Sequence, residues 1–399
     1  MSFGGQMAEV PARGQPRVAV TRLMLTNFRS YGMLDLKVEA QHVVLTGPNG
    51  AGKTNVLEAL SMLAPGRGLR GVKLGELARH APGDQTQRPW AVSATLGGPS
   101  GDTQLGVGYM PGNDDGGSNG AGVTKRAVRV DGVALSNPAQ LAERIRLIWL
   151  APAMDRLFID GVSERRRFLD RLIASFDPAH ARRWGAYEIA MRERLGALRS
   201  GAQAAWLKAL ERTMAEHAVS VSASRLAGVQ CLARAMDDQR ASLFPRADIA
   251  LSGTVEALLG RLAAVEVEDE FAATLALSRS TDTESGRTSV GPHLTDFVVR
   301  HHDKGREAQA CSTGEQKALL IRLILASAAL PAPGAPDSPV LLLDEIAAHL
   351  DETRRRALFD EIDALKIQTW MTGTDQSAFA ALDGRAQFRR VADSQIRPL

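Results

Sequence analysis

Residues 47 to 54 have the types and spacing needed to bind phosphate. They read GPNGAGKT and match the pattern G-x-x-x-x-G-K-[ST] at every fixed position. Glycines let backbone N–H groups turn inward around an anion, and the start of a following helix adds positive potential. The Lys53 ammonium would neutralise the β- and γ-phosphates of ATP, and the Thr54 hydroxyl would bind Mg²⁺. The expected ATP-binding residues are Gly47, Pro48, Asn49, Gly50, Ala51, Gly52, Lys53, Thr54 and Asn55.

A second group of residues, at the end of a predicted buried strand, could complete this site. Four apolar residues, 340 to 343, are followed directly by Asp344 and Glu345. Asp344 would reach the metal ion through water, and Glu345 would act as general base for the attacking water. Two solvated acids at a strand end would have the same sequence, but the phosphate loop favours a catalytic pair. Glu345 and Lys53 are therefore the expected catalytic residues, and Thr54 and Asp344 the expected metal ligands.

The segments around the phosphate loop supply the strand and helix that such a loop requires. HVVLT, residues 42 to 46, predicts a buried strand, and TNVLEALSML, residues 54 to 63, predicts a helix. A period of two residues also predicts strands in VTRLMLTNF and MLDLKVEA, and strand patterns return in TSVGPHLTDFVVR, PVLLLDE and TWMTGT. Residues 97 to 122 are rich in Gly, Asn and Asp, which predicts a solvated loop between strands.

Between the strand-rich halves, residues 156 to about 238 have the period of helices. Apolar residues recur every three or four positions in two stripes, with a break at Ser200 and Gly201. This pattern predicts an inserted helical hairpin. The two stripes consist of Trp184, Tyr187, Met191, Leu195 and Leu198, and of Leu210, Met214, Ala218, Val221, Val229, Leu232 and Met236.

The composition is that of an ordinary globular protein and argues against several classes. Apolar residues make up 44% and charged residues 23% of 399, and the net charge of +3 permits a nucleic-acid partner without requiring one. Cys231 and Cys311 have no metal-ligand spacing, which argues against a disulfide framework or a zinc site. No apolar run reaches the length of about 18 residues that a membrane span needs. Residues 1 to 16 lack the apolar stretch of a signal peptide. We therefore expect a cytoplasmic protein with no membrane partner.

The segment CSTGEQKALL, residues 311 to 320, begins a predicted buried helix with small and polar residues. One interpretation is a capping box, in which Ser312 and Glu315 cap each other's backbone. The neighbouring motifs offer another interpretation. VLLLDEIAAHLD resembles the Walker B segment and D-loop of the ATP-binding-cassette superfamily, and CSTGEQ resembles its signature sequence, L-S-G-G-Q. Ser312 and Gly314 match that signature, whereas Cys311, Thr313 and Glu315 depart from it.

The resemblance implies a role in trans for the start of this helix. In the superfamily, the signature presents its helix N-terminus to the γ-phosphate held by another subunit, and small residues let the anion approach. We therefore expect the ATP of a second protomer to cap the helix in place of an ordinary N-cap. The same resemblance makes Asp351 the D-loop aspartate and Thr372 the switch residue, with its hydroxyl near the γ-phosphate. The residues expected to act in trans are Ser312, Thr313, Gly314, Glu315 and Gln316.

The order of motifs narrows the resemblance to one branch. A transporter ATPase would have a lid glutamine near IWLAPAMDRL, a switch histidine and a short insertion, and this chain has none of these. The ordered set LTNFRSYGMLDL, GPNGAGKTNVLEAL, ERRRFLD, GPHLTDFVV, CSTGEQKALL and LLLDEIAAHLD resembles the RecF family of bacterial DNA-repair proteins. Leu294 departs from the basic residue common there, and the glycine-rich stretch looks like an insertion.

Membership of that branch would imply both an architecture and a function. The implied fold is α/β, an ABC-type P-loop ATPase head of mixed sheets and helices, with an inserted helical-hairpin lobe. The implied function is an ATP-dependent homodimer on double-stranded or gapped DNA that hydrolyses ATP slowly and, with RecO and RecR, helps to load the recombinase at gaps. The expected division is a tail at 1–16, ATPase lobes at 17–155 and 281–399, and the helical lobe at 156–280.

The arginine-rich helical lobe is the expected DNA-binding surface, because phosphate contacts need clustered positive charge. A solvated helix face with pairs such as Glu188–Arg192 would explain any single arginine equally well. The candidate DNA contacts are Arg182, Arg183, Arg192, Arg194, Arg199, Lys208 and Arg212. Two other functions stay open at this point. One is the energising subunit of a membrane transporter, and the other is a nucleotide-gated scaffold with incidental hydrolysis.

Overall fold

The computed structural model describes residues 18–80, 88–98, 101–111, 125–239, 242–336 and 338–399. The expected tail, residues 1–16, lies outside them. The described strands are β1 (Ala19–Phe28), β2 (Tyr31–Lys37), β3 (His42–Thr46), β4 (Trp90–Gly97), β5 (Thr103–Met110), β6 (Lys125–Val130), β7 (Val133–Ala134), β8 (Leu147–Leu150), β9 (Ala247–Ser252), β10 (Asp296–His301), β11 (Arg306–Glu307), β12 (Val340–Leu343), β13 (Gln368–Gly373), β14 (Ala386–Ala392) and β15 (Gln395–Pro398).

The described α-helices include one that follows the phosphate loop, two that form the predicted hairpin and one that begins at the signature segment. They are α1 (Lys53–Ser61), α2 (Val162–Phe176), α3 (Ala179–Arg199), α4 (Ala204–Asp238), α5 (Thr254–Leu259), α6 (Ala264–Leu277), α7 (Arg279–Ser285), α8 (Thr313–Ala329) and α9 (Glu352–Leu365). Among the described helices, none is long and apolar enough to cross a membrane.

The described chain divides into two compact units, and the first contains the phosphate loop. This unit comprises residues 18–151 and 335–399. One of its sheets has the strand order β15-β14-β3-β13-β12-β8, with parallel pairing from β14 to β8. Strands β3, β8, β12 and β13 are buried along their whole length, which is typical of a parallel sheet covered on both faces. Because parallel strands end at one edge, the phosphate loop after β3 meets the two acids after β12 there.

The second sheet of this unit is antiparallel, with the order β2-β1-β4-β5-β6-β7. Its strand β5 corrects the prediction of a continuous loop over residues 97 to 122, which is wrong for Thr103–Met110. Leu105, Val107 and Tyr109 are buried in β5, and they alternate with Gly106 and Gly108. A side chain at Gly108 would bring its Cβ within 3.3 Å of the Trp90 carbonyl oxygen. Glycine therefore fits a close approach between strands here and does not signal a loop.

The second unit, residues 152–334, contains the predicted helical hairpin. Helices α3 and α4 pack on each other, and the turn between them uses Gly201 at φ +65°. The apolar stripes meet in one buried cluster that includes Tyr187, Met214 and Ala218, with Phe271 of α6. The hairpin is therefore confirmed. The strand expected over 288–300 is shorter, because a 3₁₀ turn at Pro292–Leu294 precedes β10.

The boundaries of the compact units differ from the expected division at 155/156 and 280/281. They fall at 151/152 and 334/335. The second difference has a structural reason, because residues 281–334 pack within the helical unit. Strand β10 pairs with β9, and α8 packs against α4 and α2. The signature helix thus belongs by packing to the inserted unit.

Candidate nucleotide-binding site

The phosphate loop has the backbone shape that its glycines predict. Gly47, Gly50 and Gly52 have φ values of +151°, +79° and +110°, which residues with side chains rarely adopt. Space is also restricted, since a Cβ at Gly47 would lie 2.1 Å from the Val391 carbonyl oxygen. A Cβ at Gly52 would lie 2.9 Å from the Tyr31 hydroxyl. The loop can therefore keep this path only with glycine at both positions.

Lys53 is buried at the start of α1 and points back into the loop. Its Nζ donates hydrogen bonds to the carbonyl oxygens of Gly47 at 2.8 Å and Pro48 at 2.9 Å. Burial lowers the pKa of Lys53, while the charges of Glu345 and Asp344 raise it. The ammonium is thus oriented into the concave side of the loop, where a phosphate group would replace the two carbonyl oxygens as its acceptor.

A chain of hydrogen bonds joins the metal-ligand candidates at the edge of the parallel sheet. Asp344 Oδ1 accepts from the Thr54 hydroxyl at 2.9 Å and from the Thr372 hydroxyl at 2.7 Å. The Thr372 oxygen in turn accepts from the Glu345 backbone N–H at 2.8 Å. Burial raises the pKa of Asp344, and the two hydroxyl donors oppose that shift. The structure therefore brings together four residues that lie in three separate segments of the sequence.

These residues fit Mg²⁺ and a nucleotide. The Thr54 hydroxyl and Asp344 carboxylate are hard oxygen donors, the kind that Mg²⁺ prefers when it also binds substrate phosphates. Across the described ranges, no group of three or more His, Cys, Asp or Glu side chains is placed to hold a metal ion. The Thr54–Asp344 pair, completed by phosphate oxygens and water, is the arrangement expected of a nucleotide-dependent magnesium site.

The α1 helix is fixed by an ion pair that the sequence did not reveal. Glu58 is 1% exposed, and both of its carboxylate oxygens accept from Arg29 at 2.8 Å. Arg70 adds a further contact to Glu58 at 3.2 Å. A glutamate between Leu57 and Ala59 on a buried helix indicates that a cationic partner exists, because a buried charge must be paired. The sequence does not indicate where in the chain that partner lies.

The start of α8 has the capping box that one interpretation of the signature segment predicts. Ser312 Oγ accepts from the Glu315 backbone N–H at 3.4 Å, and Glu315 accepts from the Ser312 N–H at 2.8 Å. Hydrogen bonds from Lys304 and Ser312 lower the pKa of Glu315 to about 2. The capping box is therefore present and not displaced, whereas the contact of this helix start with the ATP of a second protomer stays a prediction. Ser312 and Thr313 are nevertheless exposed at the helix end, so the cap leaves them open to a partner.

The remaining motif residues have structural partners of their own. Gln316 is buried and donates to the Cys311 carbonyl oxygen at 3.0 Å, which holds the signature turn. Asp351 caps α9 by accepting from the Arg354 N–H at 2.8 Å. Thr372 is completely buried, and its single proton is donated to Asp344. The expectation that the Thr372 hydroxyl lies near the γ-phosphate stays a prediction.

Burial separates the seven candidate DNA contacts. Arg194 is 0% exposed and pairs with Glu211 at 3.2 Å and Asp282 at 2.6 Å. Its assignment as a DNA contact is wrong, because Arg194 lies on the buried face of α3 and its charge is paired inside the protein. Arg183 pairs with Asp177 at 2.5 Å, and Arg212 pairs with Glu216 and with two acids of α6. Arg212 is exposed despite these pairs, and the other exposed candidates are Arg182, Arg192, Arg199 and Lys208.

Comparison with known proteins identifies the family. A family model of the AAA domain matches residues 22–87. The DNA replication and repair protein RecF of Rhizobium etli (strain CIAT 652) is 45% identical over 382 residues, which cover 95% of this chain and 99% of that protein. The chain belongs to the RecF family. RecF of Caulobacter sp. (strain K31) is 46% identical and covers 96% of this chain and 99% of its own length.

Solved structures show the same fold. A structure of the recombination mediator protein RecF with ATP has a TM-score of 0.80 and 20% identity, and the match covers 96% of this chain and 99% of that one. An Smc head domain of Pyrococcus furiosus has a TM-score of 0.51 and 14% identity, with 96% of both chains covered. The expected ABC-type ATPase head is confirmed. These RecF and Smc likenesses do not favour the transporter alternative.

Proposed function

We propose that this RecF-family chain binds ATP with Mg²⁺ at the phosphate loop and hydrolyses it. The observation that carries this proposal is the hydrogen-bonded chain from Thr54 through Asp344 and Thr372 to Glu345. It joins hydroxyl and carboxylate oxygens at the edge of the sheet from which the loop and Lys53 emerge, and this supports the proposal. The AAA family match over residues 22–87 and the fold shared with ATP-bound RecF support the same assignment.

The chain's own residues have distinct parts in this reaction. Lys53 would exchange its two loop carbonyl acceptors for phosphate oxygens, with little change in its direction. Thr54 and Asp344 would hold Mg²⁺, which when bound neutralises phosphate charge. Glu345 would accept a proton from the attacking water at its carboxylate. The loop glycines keep backbone N–H groups free to approach the anion.

The proposal extends to an ATP-dependent homodimer on double-stranded or gapped DNA. The exposed Ser312 and Thr313 at the α8 N-terminus are free to meet the nucleotide of a second protomer. Asp351 and residues 312–315 would line that contact, and the buried Gln316 would hold the turn that presents them. RecO and RecR are proposed partners, since the similar RecF structure is described as a mediator of the RecFOR pathway. The exposed Arg182, Arg192, Arg199 and Lys208 would contact phosphates without reading bases.

The test is ATP turnover by the purified protein without DNA, with single strands, with blunt duplex and with gapped duplex. We expect slow turnover alone and faster turnover with duplex or gapped DNA. The Lys53→Ala variant is the control, because it removes the full charge on the phosphates and should abolish turnover under every condition. An ATP turnover rate that is the same with and without DNA would contradict the DNA-coupled reaction. ATP binding without any turnover would instead support the nucleotide-gated scaffold.

A further inference from the structure

Thr372 occupies the switch position of the ATPase head, yet its hydroxyl is fully used inside the protein. The side chain is 0% exposed, and Leu343 of β12 pairs with Met371 of β13, which puts Thr372 level with Asp344. A backbone N–H can only donate, so the Thr372 oxygen accepts from Glu345 at 2.8 Å. Its own proton then goes to Asp344 Oδ1 at 2.7 Å. No proton is left for a phosphate oxygen.

The residue that Thr372 holds has an unusual backbone conformation. Glu345 has a φ of +51°, in the left-handed region that L-residues other than glycine seldom adopt. Such a conformation is strained and persists only when its surroundings enforce it. The hydrogen bond to Thr372 satisfies the Glu345 N–H at the point where the chain leaves β12. The bond therefore fixes the peptide between the two acids.

We infer that Thr372 is a positioning residue that locks Asp344 and Glu345 in the geometry needed for hydrolysis. One hydroxyl orients the Asp344 carboxylate toward Thr54 and, through the Glu345 backbone, aims the Glu345 side chain. The inference rests on the proposed ATP hydrolysis. It assigns to the switch position an internal role in place of a contact with the γ-phosphate. A sensor of the phosphate would affect nucleotide binding, whereas a lock on the general base affects the chemical step.

The chain contains a matched control on the same strand. Thr369 of β13 is also 0% exposed, and its Oγ1 has no hydrogen-bond partner within the described part of the chain. Thr369→Val therefore removes a buried hydroxyl of the same kind that makes no bond. Thr372→Val removes the hydroxyl at nearly constant volume and leaves the Glu345 N–H without its acceptor. Thr372→Ser keeps the hydroxyl and loses only a methyl group.

The experiment measures kcat and ATP affinity of these three variants beside the wild type. We expect Thr372→Val to lower kcat by about 10²-fold, since misplaced catalytic groups cost about that much, with ATP affinity little changed. Thr372→Ser should recover most of kcat, and Thr369→Val should match the wild type.

Several results would overturn the inference. These are wild-type kcat in Thr372→Val, weakened ATP affinity with unchanged kcat, or a serine variant as slow as the valine variant. If Thr372→Val fails to fold in a thermal melt, Thr372→Ala gives the same comparison without added branching. A wild-type protein without turnover would defeat the proposed ATPase itself, whereas wild-type turnover matched by Thr372→Val would defeat only the positioning role.

Discussion

At the residue scale, the two acids after β12 differ because their surroundings differ. Asp344 is 5% exposed and receives two hydroxyl donors, so it is held in one orientation. Glu345 is less buried and donates its hydrogen bond from the backbone N–H to Thr372, which leaves its carboxylate available. This division fits a metal ligand beside a general base.

Replacing Glu345 by glutamine should separate binding from hydrolysis. The amide has nearly the same shape but cannot accept a proton from water, so we expect ATP to bind and turnover to fall by about 10²–10⁴-fold. Binding of labelled ATP and single-turnover hydrolysis measure the two steps. Glu352→Gln, an exposed acid at the start of α9, is the control and should behave as the wild type. Wild-type turnover in Glu345→Gln would remove Glu345 from the mechanism.

The sequence predicted residues of this site when a local pattern carries the chemistry. Lys53 and Thr54 are fixed by the spacing of one loop, and Asp344 by the end of one strand. The Thr372–Asp344 and Arg29–Glu58 contacts could not be predicted, because they join positions 28 and 29 residues apart in the chain. The capping box at Ser312 was visible in the sequence but was wrongly set aside, since a cap and a partner contact can coexist.

At the element scale, the hairpin shows that arginine-rich helices need not be binding surfaces throughout. Arg194 lies on the buried side of α3 and donates to Glu211, Asp282 and the Leu275 carbonyl oxygen. It ties α3 to α4, α6 and α7. The helical period of the apolar residues predicted the hairpin well. It could not show that one arginine of the helix points into the core, because charge alone does not reveal a buried partner.

Arg194→Ala should therefore destabilise the helical unit and not act on DNA directly. Removing one member of a buried ionic network leaves charges unpaired and typically costs about 3–5 kcal/mol. Arg192→Ala is the matched control, because Arg192 is exposed on the same helix and should change stability by less than about 0.5 kcal/mol. Urea unfolding compares the two. Equal stability of both variants would contradict the structural role of Arg194.

The same scale explains the loop prediction that β5 overturned. Glycine, asparagine and aspartate dominate residues 97 to 122, and this composition predicts a loop. Within the stretch, however, Leu105, Val107 and Tyr109 recur at every second position, which is the period of a strand. Those three side chains are buried, and Gly108 permits a close approach to the Trp90 carbonyl oxygen of β4. Composition averaged over a long stretch cannot distinguish a glycine-rich strand from a loop. The two-residue period of the strand is seen only when the residues are compared position by position.

At the scale of the whole molecule, the chain forms two compact units, and the residues of one unit are inserted in the sequence between two segments of the other. The phosphate loop, both acids and Thr372 belong to the unit formed by residues 18–151 and 335–399, and the signature segment belongs to residues 152–334. The ordered motifs predicted the RecF family and its ATPase head. They did not predict the unit boundary after Gly334. The motifs group the signature helix with the ATPase lobe, whereas its packing places it in the unit formed by residues 152–334. The proposed dimer gives that helix its place in the reaction.

The most direct test of the ATP-dependent dimer is the mass of the protein in solution by light scattering, with and without ATP. Glu345→Gln should double its mass on adding ATP, because bound nucleotide is retained. Ser312→Arg should bind ATP through its intact phosphate loop but stay monomeric, since the bulky side chain blocks the approach of a second protomer. Ser280→Arg, at an exposed serine of α7, should dimerise as the wild type does. A Ser312→Arg protein that still doubled its mass with ATP would contradict the account and leave residues 312 to 316 as a helix cap alone.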